Sequence, residues 1–421
     1  MAITKVTERK TCRVCGAGSL TPIFSLGLLY VSDFVDGHDK EHEKIPLELI
    51  LCNERDGGCG LLQLKHTVPH ESMYRNYWYR SGINKTMTDE LQDIARTTEK
   101  MANLKSGDYV IDIGANDGTL LRGFTTQGIH RIGFEPANNL EQYNTVGTEK
   151  VFHDFFGARA WNESYGKAKA KIITAIAMFY DLEDPNSFVA DIAASLDDEG
   201  ICVIQQSYLP LMLKTNEIGN ICHEHLEYYS LLSMENLFSR HNLEVCDVMI
   251  NDINGGSFRT YIRHKEKGTT LHLEPGAAER LSNMRASEKT LGLDDRQVYE
   301  AFVGRVNEIK NKLMKFLNDE KAKGKKIYGY GASTKGNTLL QFFNIGSDLI
   351  TAIAERNPDK WGKKTIGTLI PIVSEEEARA AQPDYFFVLP WHFIDEFVER
   401  EVEFRKRGGK FIVPLPEFKI I

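Results

Sequence analysis

Four cysteines in two pairs constrain the first sixty residues more than anything else in the chain. Cys12-Arg-Val-Cys15 is a tight C-x2-C knuckle. Cys52 and Cys59 make a looser pair across Asn53-Glu54-Arg55-Asp56-Gly57-Gly58. A C-x2-C turn presents two thiolates from one knuckle, and zinc takes four tetrahedral N/S ligands. The opening Met1-Ala2-Ile3-Thr4-Lys5 has no apolar stretch behind its basic residues, so no secretory signal is expected and the chain is expected to be cytoplasmic. In a reducing compartment, clustered cysteines more often bind metal than form disulfides. Residues 1–66 hold little apolar material and are predicted to fold around structural Zn2+, all four of its positions filled by protein. Within them Leu47–Leu51 reads as a strand leading to Cys52, and the polar run from Tyr30 to Lys44 offers little to a core.

The rest of the 421 residues reads as α/β. Strands are predicted at Tyr109–Ile113, Arg131–Phe134, Ile172–Ala177 and Gly200–Gln205, with helical stretches between them, the alternation of a largely parallel sheet. Glu244–Met249 and Gly256–Arg263 read as an antiparallel hairpin at its edge. Phe302, Val306, Ile309, Leu313 and Phe316 repeat at helical steps. A second α/β unit begins near Lys325, with strands at Ile327–Gly331, Leu349–Ala354, Tyr385–Leu389 and Phe411–Val413. The expected division is 1–66, 67–275, a helical connector 276–322, and 323–421. No apolar run approaches the ~18 residues that cross a bilayer, so no membrane association is expected. The net charge of −8 argues against nucleic acid as a partner.

Two segments carry chemistry. Asp112-Ile113-Gly114-Ala115-Asn116-Asp117-Gly118 follows a strand, and Thr119–Arg122 is expected to continue as helix. Glycines there let the backbone turn tightly and approach a ligand, although the same residues can also make a plain strand-to-helix turn. GxGxxG is absent, which weakens a dehydrogenase reading. Instead the loop resembles motif I of class I S-adenosylmethionine-dependent methyltransferases, with Glu135 placed at the next strand end to accept hydrogen bonds from ribose hydroxyls. Cys222-His223-Glu224-His225-Leu226-Glu227 concentrates five titratable side chains in six positions. Histidine titrates near neutrality, so His225 can take a proton from a carbon acid, with Glu224 orienting an imidazole or holding a hydroxyl. A zincin needs H-E-x-x-H, and these histidines are two apart. A polar surface loop is the plainer alternative.

The combination resembles the sugar C-methyltransferases that act on nucleotide-linked 4-keto-deoxyhexoses, typically at C3. The resemblance rests on the cysteine quartet, Tyr77–Gly82, Asp112–Gly118, His223-Glu224-His225, Gly255–Arg259, Gly329–Thr338, Arg356–Lys360 and Leu389-Pro390-Trp391. It implies a zinc-binding domain, a central class I methyltransferase Rossmann-like domain and a C-terminal Rossmann-like domain. It also implies a base that removes the C3 proton next to the ketone, and attack of the enolate on the methyl of S-adenosyl-L-methionine. By resemblance the catalytic candidates are His225, Glu224, His223, Cys222 and Asp181. The cofactor candidates are Asp112, Gly114, Asn116, Asp117, Gly118, Glu135, Tyr77, Tyr79 and Ser81. The nucleotide-linked sugar would meet Tyr79, Arg80, Lys335, Asn337, Arg356, Lys360 and His392; no protein partner is implied. Two departures stand out. The family usually has Tyr where this chain has Cys222. It often has Asn-x-x-x-His where this chain has Ala177 and Asp181. Transfer to oxygen or nitrogen of a related sugar or polar metabolite, and a non-catalytic cofactor-binding protein, are the competing readings.

Overall fold

The computed structural model describes residues 6–37, 42–75 and 77–421. Residues 1–5, on which the reading of the N-terminus rests, lie outside them. The central sheet has seven strands. In spatial order they are Leu243–Asn251, Ser257–His264, Leu196–Ser207, Ala170–Ile176, Tyr109–Ile113, His130–Phe134 and Lys150–Phe152. The last five are parallel, and the first two form an antiparallel pair along one edge. Val110, Ile111, Ile132, Ile172, Ile173, Val203 and Ile204 are fully buried, as expected of parallel strands covered on both faces. The strand order reverses between Tyr109–Ile113 and Ala170–Ile176. Open α/β sheets hold ligands at the carboxyl ends of the strands flanking such a reversal.

The helix Lys85–Met101 closes one face of this sheet. Asn84 caps it by accepting from the Met87 amide, and Met87, Leu91, Ile94, Ala95, Thr98 and Met101 form one buried stripe. After the glycine loop the backbone makes a 3-10 turn, Leu121–Gly123, where a helix over Thr119–Arg122 was expected. The Arg131 guanidinium takes the carbonyls of Leu121 and Phe124, which turns the chain toward the next strand.

The N-terminal sheet runs Thr21–Tyr30, Lys44–Leu51, Leu62–Leu64 and then Glu227–Tyr228. Its fourth strand therefore comes from the His-Glu-His segment, far along the chain. The C-terminal sheet runs Ile372–Ser374, Ile353–Glu355, Ile327–Tyr330, Tyr385–Val388, Lys410–Val413 and Lys419–Ile420. The strand expected over Leu349–Ala354 is confined to Ile353–Glu355, because Leu349 and Ile350 turn back to bond the Gly346 carbonyl.

Helix Ala277–Leu291 packs on the edge of the central sheet, where Glu288 accepts from Tyr208 and from the Leu231 and Leu232 amides. Helix Arg296–Ala322 buries Phe302, Val306, Ile309, Leu313 and Leu317, while Phe316 is half-buried against Tyr385 and Phe418. That stripe joins one apolar core with Leu47, Leu49 and Leu64 on one side and Leu340, Ile353 and Ile412 on the other. Phe34–Val35 pairs with Lys364–Thr365. So the segment after Tyr30 does contribute to a core: Phe34 and Val35 are buried against the C-terminal unit.

Candidate functional site

The cysteine quartet comes together. Cys12 Sγ lies 3.6 Å from Cys59 Sγ, Cys15 Sγ lies 3.4 Å from Cys52 Sγ, and all four sulfurs fall within 4.8 Å of one another. A zinc–thiolate tetrahedron with bonds of ~2.3 Å has edges of about 3.8 Å, so the donor set fits the ion. Gly58 is part of the fit. A Cβ there would stand 2.6 Å from Cys52 Sγ.

A cavity of about 460 Å³ opens at the carboxyl ends of the central strands. One end is built on the glycine loop. Gly114 turns with φ +70°, and Gly114, Ala115 and Asn116 line the wall with Asp112 and Glu135. Asp112 is buried and accepts from Thr174 Oγ at 2.7 Å; burial pushes its carboxyl up to about 7. Glu135 accepts from the amides of Asn116 and Ala137, each at 2.8 Å. Burial raises it to about 7 against the pull of those two amides. Each oxygen keeps a second lone pair, which is the chemistry a ribose diol needs. Asn116 also straps the preceding loop to the site. Its Oδ1 accepts from the Ser81 amide and its Nδ2 donates to the Tyr79 carbonyl. Tyr77, Tyr79 and Ser81 all line the cavity, as do Phe155, Phe156 and Met178. An apolar slot, a buried diol acceptor and a close-approach glycine fit a nucleoside-bearing sulfonium.

His225 lines the other end. Its Nδ1 donates to the Asn220 carbonyl at 2.9 Å, which leaves Nε2 as the acceptor. Its ring stands 4.2 Å from that of Tyr180. Burial, helped by the Lys335 charge, pushes the imidazole down to about 3, so it is neutral at ordinary pH. Asp181 lines the same end, is buried, and is held well above the usual carboxylate range by burial and by Glu224 and Glu227. Its Oδ1 has no hydrogen-bond partner among the described residues. Lys335 and His392 reach the cavity from the C-terminal unit, and burial takes His392 down to about 3.

Other expected residues sit elsewhere. Cys222, His223 and Glu224 are buried but do not line the cavity. His223 Nε2 reaches the Ile45 carbonyl at 3.2 Å, inside the N-terminal module. Glu224, hydrogen-bonded by the Cys222 thiol and raised by burial to about 7, lies behind the wall. Asp117 accepts from the Gly82 amide and from Thr119, and Gly118 packs beside Arg122; both shape the loop from outside the cavity. Arg80 covers the Tyr143 ring, Arg356 faces Glu396, Lys360 donates to the Ala332 carbonyl, and Asn337 donates to the Asp33 carbonyl. None of these four lines the cavity.

Sequence reasoning missed Glu217, Met178 and Phe155. Glu217 is buried, lines the cavity and accepts from the Trp391 indole. Nothing local marks it, because it stands between Asn216 and Ile218 on a short turn. Trp391 belonged to a motif already noted, Leu389-Pro390-Trp391, and marks the partner.

Three family models match in chain order: a zinc binding domain over 12–74, a methyltransferase domain over 79–248 and a C-methyltransferase C-terminal domain over 252–416. The chain is similar to C-methyltransferase NovU of Streptomyces niveus, 28% identical over 414 residues, 97% of this chain and 96% of that protein. Among solved structures, the mitomycin 7-O-methyltransferase MmcR is 12% identical with a TM-score of 0.34, over 43% of this chain and 55% of that one. Magnesium protoporphyrin IX methyltransferase of Synechocystis PCC 6803 with bound SAH is likewise 12% identical at 0.34, over 43% of this chain and 88% of that one.

Proposed function

We propose that this chain, which matches zinc-binding, methyltransferase and C-methyltransferase C-terminal models in order and is similar to a C-methyltransferase over 97% of its length, is an S-adenosylmethionine-dependent C-methyltransferase that methylates the carbon beside the ketone of a nucleotide-linked keto-deoxysugar, through an enolate. The observation that carries the reading is His225, a buried imidazole with Nδ1 committed to a carbonyl and Nε2 left free on the cavity wall.

The bound cofactor supplies a methyl group made electrophilic by its sulfonium. Gly114, Asn116 and Glu135 would hold it at the first end of the cavity, which Phe155 and Phe156 also line. At the other end His225 Nε2 takes the proton. A neutral imidazole is available across ordinary pH because its conjugate acid is so destabilised. A base that weak needs an acidified carbon, which the neighbouring ketone provides. Asp181 stands where the family usually has histidine and accepts from a donor on the sugar. In this reading residues 1–66 hold the zinc, 67–275 perform the transfer, 276–322 connect, and 323–421 close the acceptor end.

The test separates proton removal from methyl transfer. In heavy water, the unaltered chain washes out the proton beside the carbonyl of a thymidine-diphosphate keto-deoxysugar. His225→Asn is expected to slow both washout and methylation by about 100-fold while calorimetry gives the same cofactor affinity. Undiminished washout in His225→Asn refutes the assignment. Methyl transfer to oxygen or nitrogen with no washout refutes the enolate.

A further inference from the structure

Lys335 is not held by anything the fold requires. It is the second residue of the helix Thr334–Phe343, in the C-terminal unit, yet its side chain lines the cavity shared with His225, Asp181 and Glu217. Its Nζ is shut off from solvent and has no hydrogen-bond partner among the described residues. A buried ammonium with its donors unspent is costly unless a ligand takes them. The other buried lysine of this unit, Lys360, shows the contrast: its Nζ donates to the Ala332 carbonyl and faces Glu355.

The surroundings say what Lys335 would hold. Burial opposes its charge and lowers its proton affinity, against the smaller pull of Glu217, Cys222, Asp181 and Glu224. In turn Lys335 lowers the affinity of His225 and His392 for protons. It lines the same cavity as the assigned base, whose neutrality comes first from burial and is reinforced by the Lys335 charge. A fixed positive charge beside the site of proton removal is the arrangement that stabilises an oxyanion as it forms.

We propose that Lys335 is the electrophile of the reaction, its ammonium donating to the carbonyl oxygen of the methyl acceptor while His225 removes the neighbouring proton. The step balances within the substrate and these two residues. The carbon–hydrogen bond breaks and its proton passes to Nε2 of His225. Its electron pair becomes the new carbon–carbon π bond, and the carbonyl π pair moves onto oxygen, where the Lys335 ammonium holds it. The role sharpens the contact with the nucleotide-linked sugar that the resemblance implied for this lysine, and it rests on the enolate reading above.

The experiment follows proton washout from thymidine-diphosphate 4-keto-deoxyglucose in heavy water, with S-adenosylhomocysteine in place of the methyl donor. Lys335→Met is expected to bind S-adenosylhomocysteine as the unaltered chain does and to lose about 100-fold in washout. Washout within threefold of the unaltered chain overturns this proposal alone. Absence of washout in the unaltered chain overturns the enolate reading, and this proposal with it. A second measurement needs no variant. Lys335 must be protonated to act, and burial lowers its proton affinity, while His225 is already neutral. Washout is therefore expected to fall as rising pH takes the proton from the ammonium. A rate that only climbs with pH on the alkaline side overturns the proposal even if Lys335→Met fails to fold.

Discussion

Asp112 stands next to last in the strand Tyr109–Ile113, where its carboxyl is buried and held by one hydroxyl. Its folded pKa, raised to about 7, lies above the ~3.9 of an unfolded chain. The penalty for ionising it in the fold is absent below the unfolded value, grows between the two, and is complete above the folded one. Asp112→Asn keeps an acceptor for Thr174 and removes that penalty. It is expected to stabilise the fold by about 2–4 kcal/mol at pH 8 and by little at pH 4, read as melting temperature against pH, with weakened cofactor binding. Ala177 is a second position where the residue scale matters. It has φ +54°, a left-handed backbone that asparagine tolerates better than alanine, which gives a backbone reason for the asparagine common at this position in the resembling family. His223 and His225 separate because the backbone turns between them: the His225 amide bonds the Cys222 carbonyl, which leaves one ring in the N-terminal module and the other on the cavity wall.

At the scale of elements, the zinc module and the His-Glu-His segment form one sheet. Glu227–Tyr228 pairs with Leu62–Leu64, and Leu226 is gripped from both sides: its carbonyl accepts from the Leu64 amide and its amide donates to the Tyr180 carbonyl. His225 is thus fixed where the N-terminal sheet meets the central one. Arg13, beside the zinc knuckle, reaches Glu227 at 3.6 Å with both side chains fully buried. Gly58→Ala drives a methyl group into Cys52 Sγ. It is expected to lower bound zinc from about one ion per chain toward none, measured by atomic emission, and to lower the melting temperature. Hydrogen exchange at the Leu64 and Leu226 amides should quicken in the same protein. Unchanged protection there with zinc lost would separate the His-Glu-His segment from the metal.

Across the whole molecule, the end of the cavity lined by His225 is closed by a domain remote in sequence. The C-terminal unit is positioned by the shared core along Arg296–Ala322 and by polar stitches to the N-terminal module. Gln341 exchanges two hydrogen bonds with the Tyr30 backbone, and Asn337 donates to the Asp33 carbonyl at 2.9 Å. Asn337→Ala is expected to cost about 1–2 kcal/mol of stability and to raise the KM for the keto-sugar, with cofactor affinity unchanged. An altered cofactor affinity with an unchanged KM would contradict that division. No helix among the described residues is long and apolar enough to cross a membrane. The sequence by itself determined what local spacing can carry. The C-x2-C knuckle, the glycine loop with Glu135 one strand later, and the alternation of buried strands with helices are short-range patterns, and each element follows from its own residues. Only the tertiary structure decided which of the flagged polar residues meet. Lys335 and Asn337 are two apart on one helix, so they point about 200° apart, one into the cavity and one onto Asp33. Glu217 joins Trp391 across 174 residues. Such meetings are set by how separate elements pack, and nothing in the spacing along one strand or one helix encodes them.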